Sequence, residues 1–171
     1  MIDQNSKAIH TAIHEAGHAV SCVRLGIDHD KASIVPEGDW LGHVQSAGVN
    51  HVWMEEEAVD QVLSYCAGYA ALVAAGFDET VATQGADGDF DAARHLIEHW
   101  GLAGDLDEWK AKAVAMMQEP RNRAAVKRVA DELVAAGTID WDDISCCCDI
   151  ADGECTEEDY AMSKALRRGS G

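Results

Sequence analysis

Residues 6–25 read SKAIHTAIHEAGHAVSCVRL, and the reading of this run decides the fold. Ala8, Ile9, Ala12, Ile13, Ala16, Ala19, Val20 and Val23 recur at the spacing of one helix face, and Gly26 follows as a stop signal. The stretch is therefore expected to be an amphipathic helix, with His14, Glu15 and His18 inside it.

Four-residue spacing on a helix sets two imidazoles one turn apart on one face, where both reach a single tetrahedral ion. His14-Glu15-Ala16-Gly17-His18 has that HExxH pattern. Glu15 then lies beside the metal without binding it. A carboxylate so placed takes a proton from a zinc-bound water as it attacks a carbonyl, and returns it to the leaving amine. Gly17 costs about 1 kcal/mol relative to Ala inside a helix, a loss that makes sense where another backbone or a substrate must come close.

Two histidines leave the site incomplete, because catalytic zinc takes a third protein ligand and keeps one position open. A metzincin would have glycine and histidine three and six residues beyond His18, but Ser21 and Arg24 stand there. A thermolysin-like site would take a glutamate from a downstream helix. Glu55, Glu56 and Glu57 are the clustered candidates, and complementing the dipole of the helix they open explains them better.

Outward from the first helix, Ala32 to Val35 and Leu41 to Gln45 are short β-compatible runs around Pro36, Glu37, Gly38 and Asp39, which suit a turn. Further helices are expected over Met54–Ala75, Asp89–Trp100, Asp107–Gln118 and from Pro120 through Val134. Thr156 to Asp159 reads as a capping box for a last short helix ending near Arg168. There is no internal repeat.

The 171 residues suit one domain, and 47% hydrophobic with only 6% aromatic residues favours helices packed through small side chains. A net charge of −18 repels nucleic-acid phosphates and anionic lipid. No apolar run approaches the roughly 18 residues of a spanning helix, and the first residues lack a basic then apolar leader. A cytoplasmic protein without a membrane span is expected. Cys22 and Cys66 fall in helical patterns, while Cys146, Cys147, Cys148 and Cys155 crowd near the end without C-x2-C spacing, so free thiols are the default.

Three blocks carry a family resemblance over roughly residues 10 to 144. HEAGHA at residues 14–19 resembles the zinc helix of FtsH-type ATP-dependent zinc metalloproteases. Ser33-Ile-Val-Pro36 with Leu41-Gly-His-Val44 resembles that family's edge and return strands. Gly85-Ala-Asp-Gly-Asp-Phe-Asp-Ala-Ala93 resembles the segment whose aspartate completes the zinc site. The resemblance implies Asp89 as third ligand, with Asp87 and Asp91 as flanking alternatives that also suit a helix N-terminus. It further implies strand addition of extended, unfolded polypeptide at the strand near Ile34, and self-association. One block departs: Tyr69-Ala-Ala-Leu-Val73 stands where the family usually has an arginine and paired glutamates, and no carboxylate occurs between Asp60 and Asp78. These residues also contain no phosphate-cradling GxxxxGK[ST] loop, so a separate ATPase or unfoldase partner is expected.

The sequence thus predicts an α+β fold, predominantly helical with a small sheet or hairpin and a zincin-like helix. Its expected parts are a zinc peptidase domain over residues 1–144 and a cysteine-containing extension with a short helix over 145–171. His14, His18 and Asp89 are to hold Zn2+, and Glu15 is to act as base in endopeptidase cleavage of flexible polypeptides. The rival reading is a catalytically silent, zinc-containing binding module or protease-assembly subunit. Asp91, His95 and His99, at successive four-residue steps, suit either a second metal or local helix-stabilising pairs.

Overall fold

The computed structural model describes residues 4–36, 42–45, 52 and 54–168. Helix α1, Gln4–Leu25, ends at Gly26, whose φ of 68° is the left-handed conformation that lets the chain turn back without a Cβ penalty. Strands β1 (Lys31–Ser33) and β2 (His43–Gln45) pair antiparallel, with Ala32 opposite Val44. The expected turn at residues 37–39 and Leu41 lie outside the described residues.

Helix α2, Glu55–Ala74, opens with three glutamates, and Glu57 accepts a hydrogen bond from the Met54 N–H at 3.2 Å. These carboxylates cap and complement a helix N-terminus, as expected. A short helix α3 (Glu79–Ala82) follows, capped by Asp78, which accepts from the Val81 N–H at 3.0 Å. Then come α4 (Asp87–Trp100), α5 (Leu106–Gln118) and α6 (Pro120–Ala136), the last with proline in its first turn.

Among the described residues, the sequence reading missed two elements near the C-terminus besides α3. Strand β3, Thr138–Asp140, pairs antiparallel with β1, with Ile139 opposite Ala32, so the sheet order is β2-β1-β3. β1 is therefore the central strand, which corrects the expectation of a substrate-accepting edge there: even the Ile34 N–H is taken, donating to the Gly137 carbonyl at 2.8 Å. Helix α7, Trp141–Asp152, runs through position 144 and buries Ile144, Cys147 and Cys148 in the common core. Helix α8, Glu157–Arg168, starts at the expected capping box, with Thr156 Oγ1 accepting from the Asp159 N–H at 3.2 Å.

Small side chains set the packing. Ala12, Ala16 and Ala19 of α1 and Ala67, Ala70 and Ala71 of α2 are all essentially inaccessible. Helix α1 packs against both α2 and α6, while α4 and α5 pack on α2. Close approach explains Gly17: a Cβ there would sit 2.4 Å from the Ala67 carbonyl oxygen and 2.6 Å from Ala71 Cβ. The partner backbone is α2. At the far end of α1, the Arg24 guanidinium donates to Asn122 of α6 and to Asp152 of α7, both at 2.8 Å. All six cysteines are free. Among the described residues no helix is long and apolar enough to cross a membrane.

Candidate metal centre

Helix α1 presents His14 and His18 toward α2, and the first turn of α4 brings Asp89 across to meet them from 75 residues away. His14 Nε2 and His18 Nε2 lie 3.1 Å apart, and Asp89 Oδ2 is 3.2 Å from the first and 3.3 Å from the second. Among the described residues this is the one group of three metal-ligating side chains whose donor atoms converge.

The triangle fits zinc. Tetrahedral bonds of about 2.0–2.1 Å place ligand atoms about 3.3 Å apart. Donor orientation agrees as well: His18 Nδ1–H donates to the Ser64 carbonyl at 2.8 Å, which leaves its Nε2 lone pair facing the centre. Among the described residues, no group pairs with buried His14 Nδ1.

Without an ion, the charges concentrate as a metal site requires. Burial disfavours charge on both imidazoles. It lowers the pKa of His14, but for His18 the Asp89 carboxylate, assisted by Glu15 and the Ser64 carbonyl, outweighs burial and raises it to about 9. Burial would raise Asp89 too, yet the neighbouring imidazoles hold its carboxyl far below the usual range. Glu15, only 6% exposed, is pushed up to about 7 by burial, with His18 opposing.

Glu15 stands apart from the ligand triangle on the same helix. The backbone leading into β2 passes close over it, since a Cβ on Gly42 would lie 2.7 Å from Glu15 Oε1. The alternatives to Asp89 point elsewhere: Asp87 is exposed in the first turn of α4, and exposed Asp91 pairs with Arg94 at 2.7 Å. His95 and His99 stack at 5.9 Å between centroids on the exposed face of α4 and belong to no three-group cluster among the described residues.

Sequence reasoning overlooked two supports on α2. One is the Ser64 carbonyl. The other is Gly68, where a Cβ would lie 2.5 Å from His18 Nε2 and 2.7 Å from His14 Nε2. An isolated glycine inside an apolar helical pattern was the available signal.

Comparison with known proteins bears on this same region. The model of Peptidase family M41 matches residues 1–122, a span from α1 into α6 that contains the whole triangle. ATP-dependent zinc metalloprotease YME1L1 of Mus musculus is 32% identical over 114 residues, covering 61% of this chain and 16% of that protein. The Homo sapiens protein of that name is also 32% identical over 114 residues, covering 61% of this chain and 14% of its own length. This chain thus spans under a fifth of these relatives, and the match over most of its own residues shows that it belongs to peptidase family M41.

Proposed function

We propose that this chain is a zinc-dependent endopeptidase in which His14, His18 and Asp89 hold the metal and Glu15 is the general base. The observation that carries the reading is the convergence of three ligand atoms within 3.3 Å of one another from two separate helices, with a buried carboxylate beside them. Bound zinc would supply a Lewis acid for the scissile carbonyl and lower the pKa of the attacking water. Glu15 takes the proton from that water and returns it to the leaving nitrogen, so no covalent intermediate with the protein is needed. Burial keeps bulk water from competing for the base.

The substrates proposed are unfolded or flexible polypeptides, delivered by an ATP-driven unfoldase. Support comes from the relatives' ATP dependence, which their names state. Because β1 is already paired on both sides, an extended substrate cannot add to it over residues 31–33. β2, whose leading Gly42 lies against Glu15, is the strand proposed to guide substrate past the base.

The test is cleavage of a permanently unfolded protein by zinc-loaded wild type and Glu15→Gln, with bound zinc measured in both. Cleavage by wild type alone at equal zinc content is expected. Cleavage by Glu15→Gln at the wild-type rate would sink the base assignment, and zinc binding without cleavage by either, even with an unfolded substrate in excess, would favour a silent binding module.

A further inference from the structure

Helix α4 must deliver Asp89 to within about 0.5 Å of its place, yet the first turn lacks a side-chain cap. The N-cap, Ala86, makes no side-chain capping bond, Gly85 precedes it at a φ of 87°, and Gly88 lies within the turn. A missing cap and an interior glycine each destabilise a helix start by about 1 kcal/mol. Asp87 and Asp89 complement the helix dipole in that turn, but a packed anchor for it has to come from other helices.

The residue after Asp89 supplies the anchor. Phe90 and Ala93 are the two residues of α4 buried in the core, and Phe90 is the only large one. Its ring meets Tyr69 of α2 edge-on, with centroids 5.7 Å apart and planes at 69°, and both residues are 4% exposed. Lys110 of α5 closes over the pair: its Nζ lies 4.6 Å from the Tyr69 centroid and 5.3 Å from that of Phe90, and Asp107 holds it at 3.2 Å. Edge-to-face aromatic contact fixes ring orientation, and a cation over both faces adds to it. Tyr69 stands one residue beyond Gly68, which touches both histidines. One segment of α2 therefore carries the wall of the metal centre and the anchor of its third ligand.

We propose that Tyr69 is a positioning residue for the metal centre, clamping Phe90 under Lys110 so that Asp89 meets His14 and His18 at ligand distance. The proposal rests on the reading of these three residues as the zinc site. The clamp touches neither metal nor substrate. It sets zinc affinity through the rotation of the first turn of α4.

The test measures zinc affinity by competition with a chromophoric chelator, alongside melting temperature. Tyr69→Leu, which keeps apolar bulk but removes the ring, is expected to weaken zinc roughly tenfold, the lower end of what losing a supporting residue costs. Tyr69→Phe, which keeps the ring, should stay within about twofold of wild type. Leu133→Ala, a fully buried change on α6, is the control for lost stability: it should lower the melting temperature while leaving zinc affinity in the folded protein unchanged. Tyr69→Leu with wild-type affinity, or Leu133→Ala weakening zinc as much, would overturn the proposal. Should Tyr69→Leu not fold, Lys110→Gln carries the test, with about threefold weaker zinc expected and unaltered affinity overturning the clamp. Wild type that takes up no zinc at all would overturn the metal-site reading itself, an outcome visible before any variant is compared.

Discussion

Two pairs of histidines in this chain share a four-residue helical spacing and little else. His14 and His18 lie on α1 under α2, with side chains 10% and 12% exposed, a backbone carbonyl holding one ring and a carboxylate from another helix completing a triangle. His95 and His99 lie on the outer face of α4, stacked on one another at 5.9 Å, with Asp91 committed to Arg94. The contrast teaches that spacing only makes a chelate geometrically accessible. Surrounding helices must orient the donors, exclude water and contribute the third ligand from a distance.

The largest effect that would break the comparison is on zinc retention. His18→Ala is expected to weaken zinc by more than the roughly 10–100-fold that loss of a supporting residue costs, while the double change His95→Ala with His99→Ala leaves tight zinc content as in wild type. Metal analysis after dialysis against a weak chelator decides this, and equal losses in both proteins would erase the distinction.

Next in size, Gly68→Ala should weaken zinc roughly 10–100-fold, because the added methyl would occupy the space against both Nε2 atoms. Gly88→Ala sharpens the point, since a Cβ there meets open space. It should leave zinc binding intact and raise the melting temperature modestly, helix stability gaining about 0.5–1 kcal/mol. Reversed ranks in a chelator titration would mean that the wall of the site is not where the packing puts it.

The smallest effect involves a third kind of histidine. His29 is 5% exposed, shares its Nδ1 with the Ile27 carbonyl, has no partner for Nε2 among the described residues and lies edge-on to Trp141 at 4.2 Å. Burial lowers its pKa, opposed by the Ile27 carbonyl and by Asp30 and Asp28. The unfolded chain therefore binds a proton more readily, so the stability from a neutral His29 is complete above about pH 6.5 and is lost as pH falls below it toward the folded value. Thermal melts of the metal-free protein should lose stability between pH 7 and 5.5 more steeply in wild type than in His29→Gln. Parallel slopes would show that this ring is not proton-sensitive.

What could be read in advance follows the reach of each signal. The α1 helix and its two histidines are a local pattern, complete within five residues, and so were legible without any partner. Asp89 was reachable only through resemblance, because nothing local to an aspartate in a helix's first turn distinguishes a ligand from a dipole complement. Strand β3 is three residues long and acquires meaning only by pairing with β1, more than 100 positions away. That pairing is what turned an expected edge into a central strand. In α7 the cysteine triplet obscured the pattern, although Asp140 as cap and Gly153 as stop were both present. Gly68 was passed over because its role is to be absent from a space that only the folded helices define.

The tie made by Arg24 gives α7 a mechanical part in the centre. Six residues beyond His18, its guanidinium grips Asp152 at the end of α7. A chain cut at residue 144 would keep His14, Glu15, His18 and Asp89, yet lose the Asp152 end of the tie and leave the Arg24 guanidinium its bond to Asn122. Helix α7 therefore acts as a brace on the ligand helix, from a position in the chain well past every residue of the site.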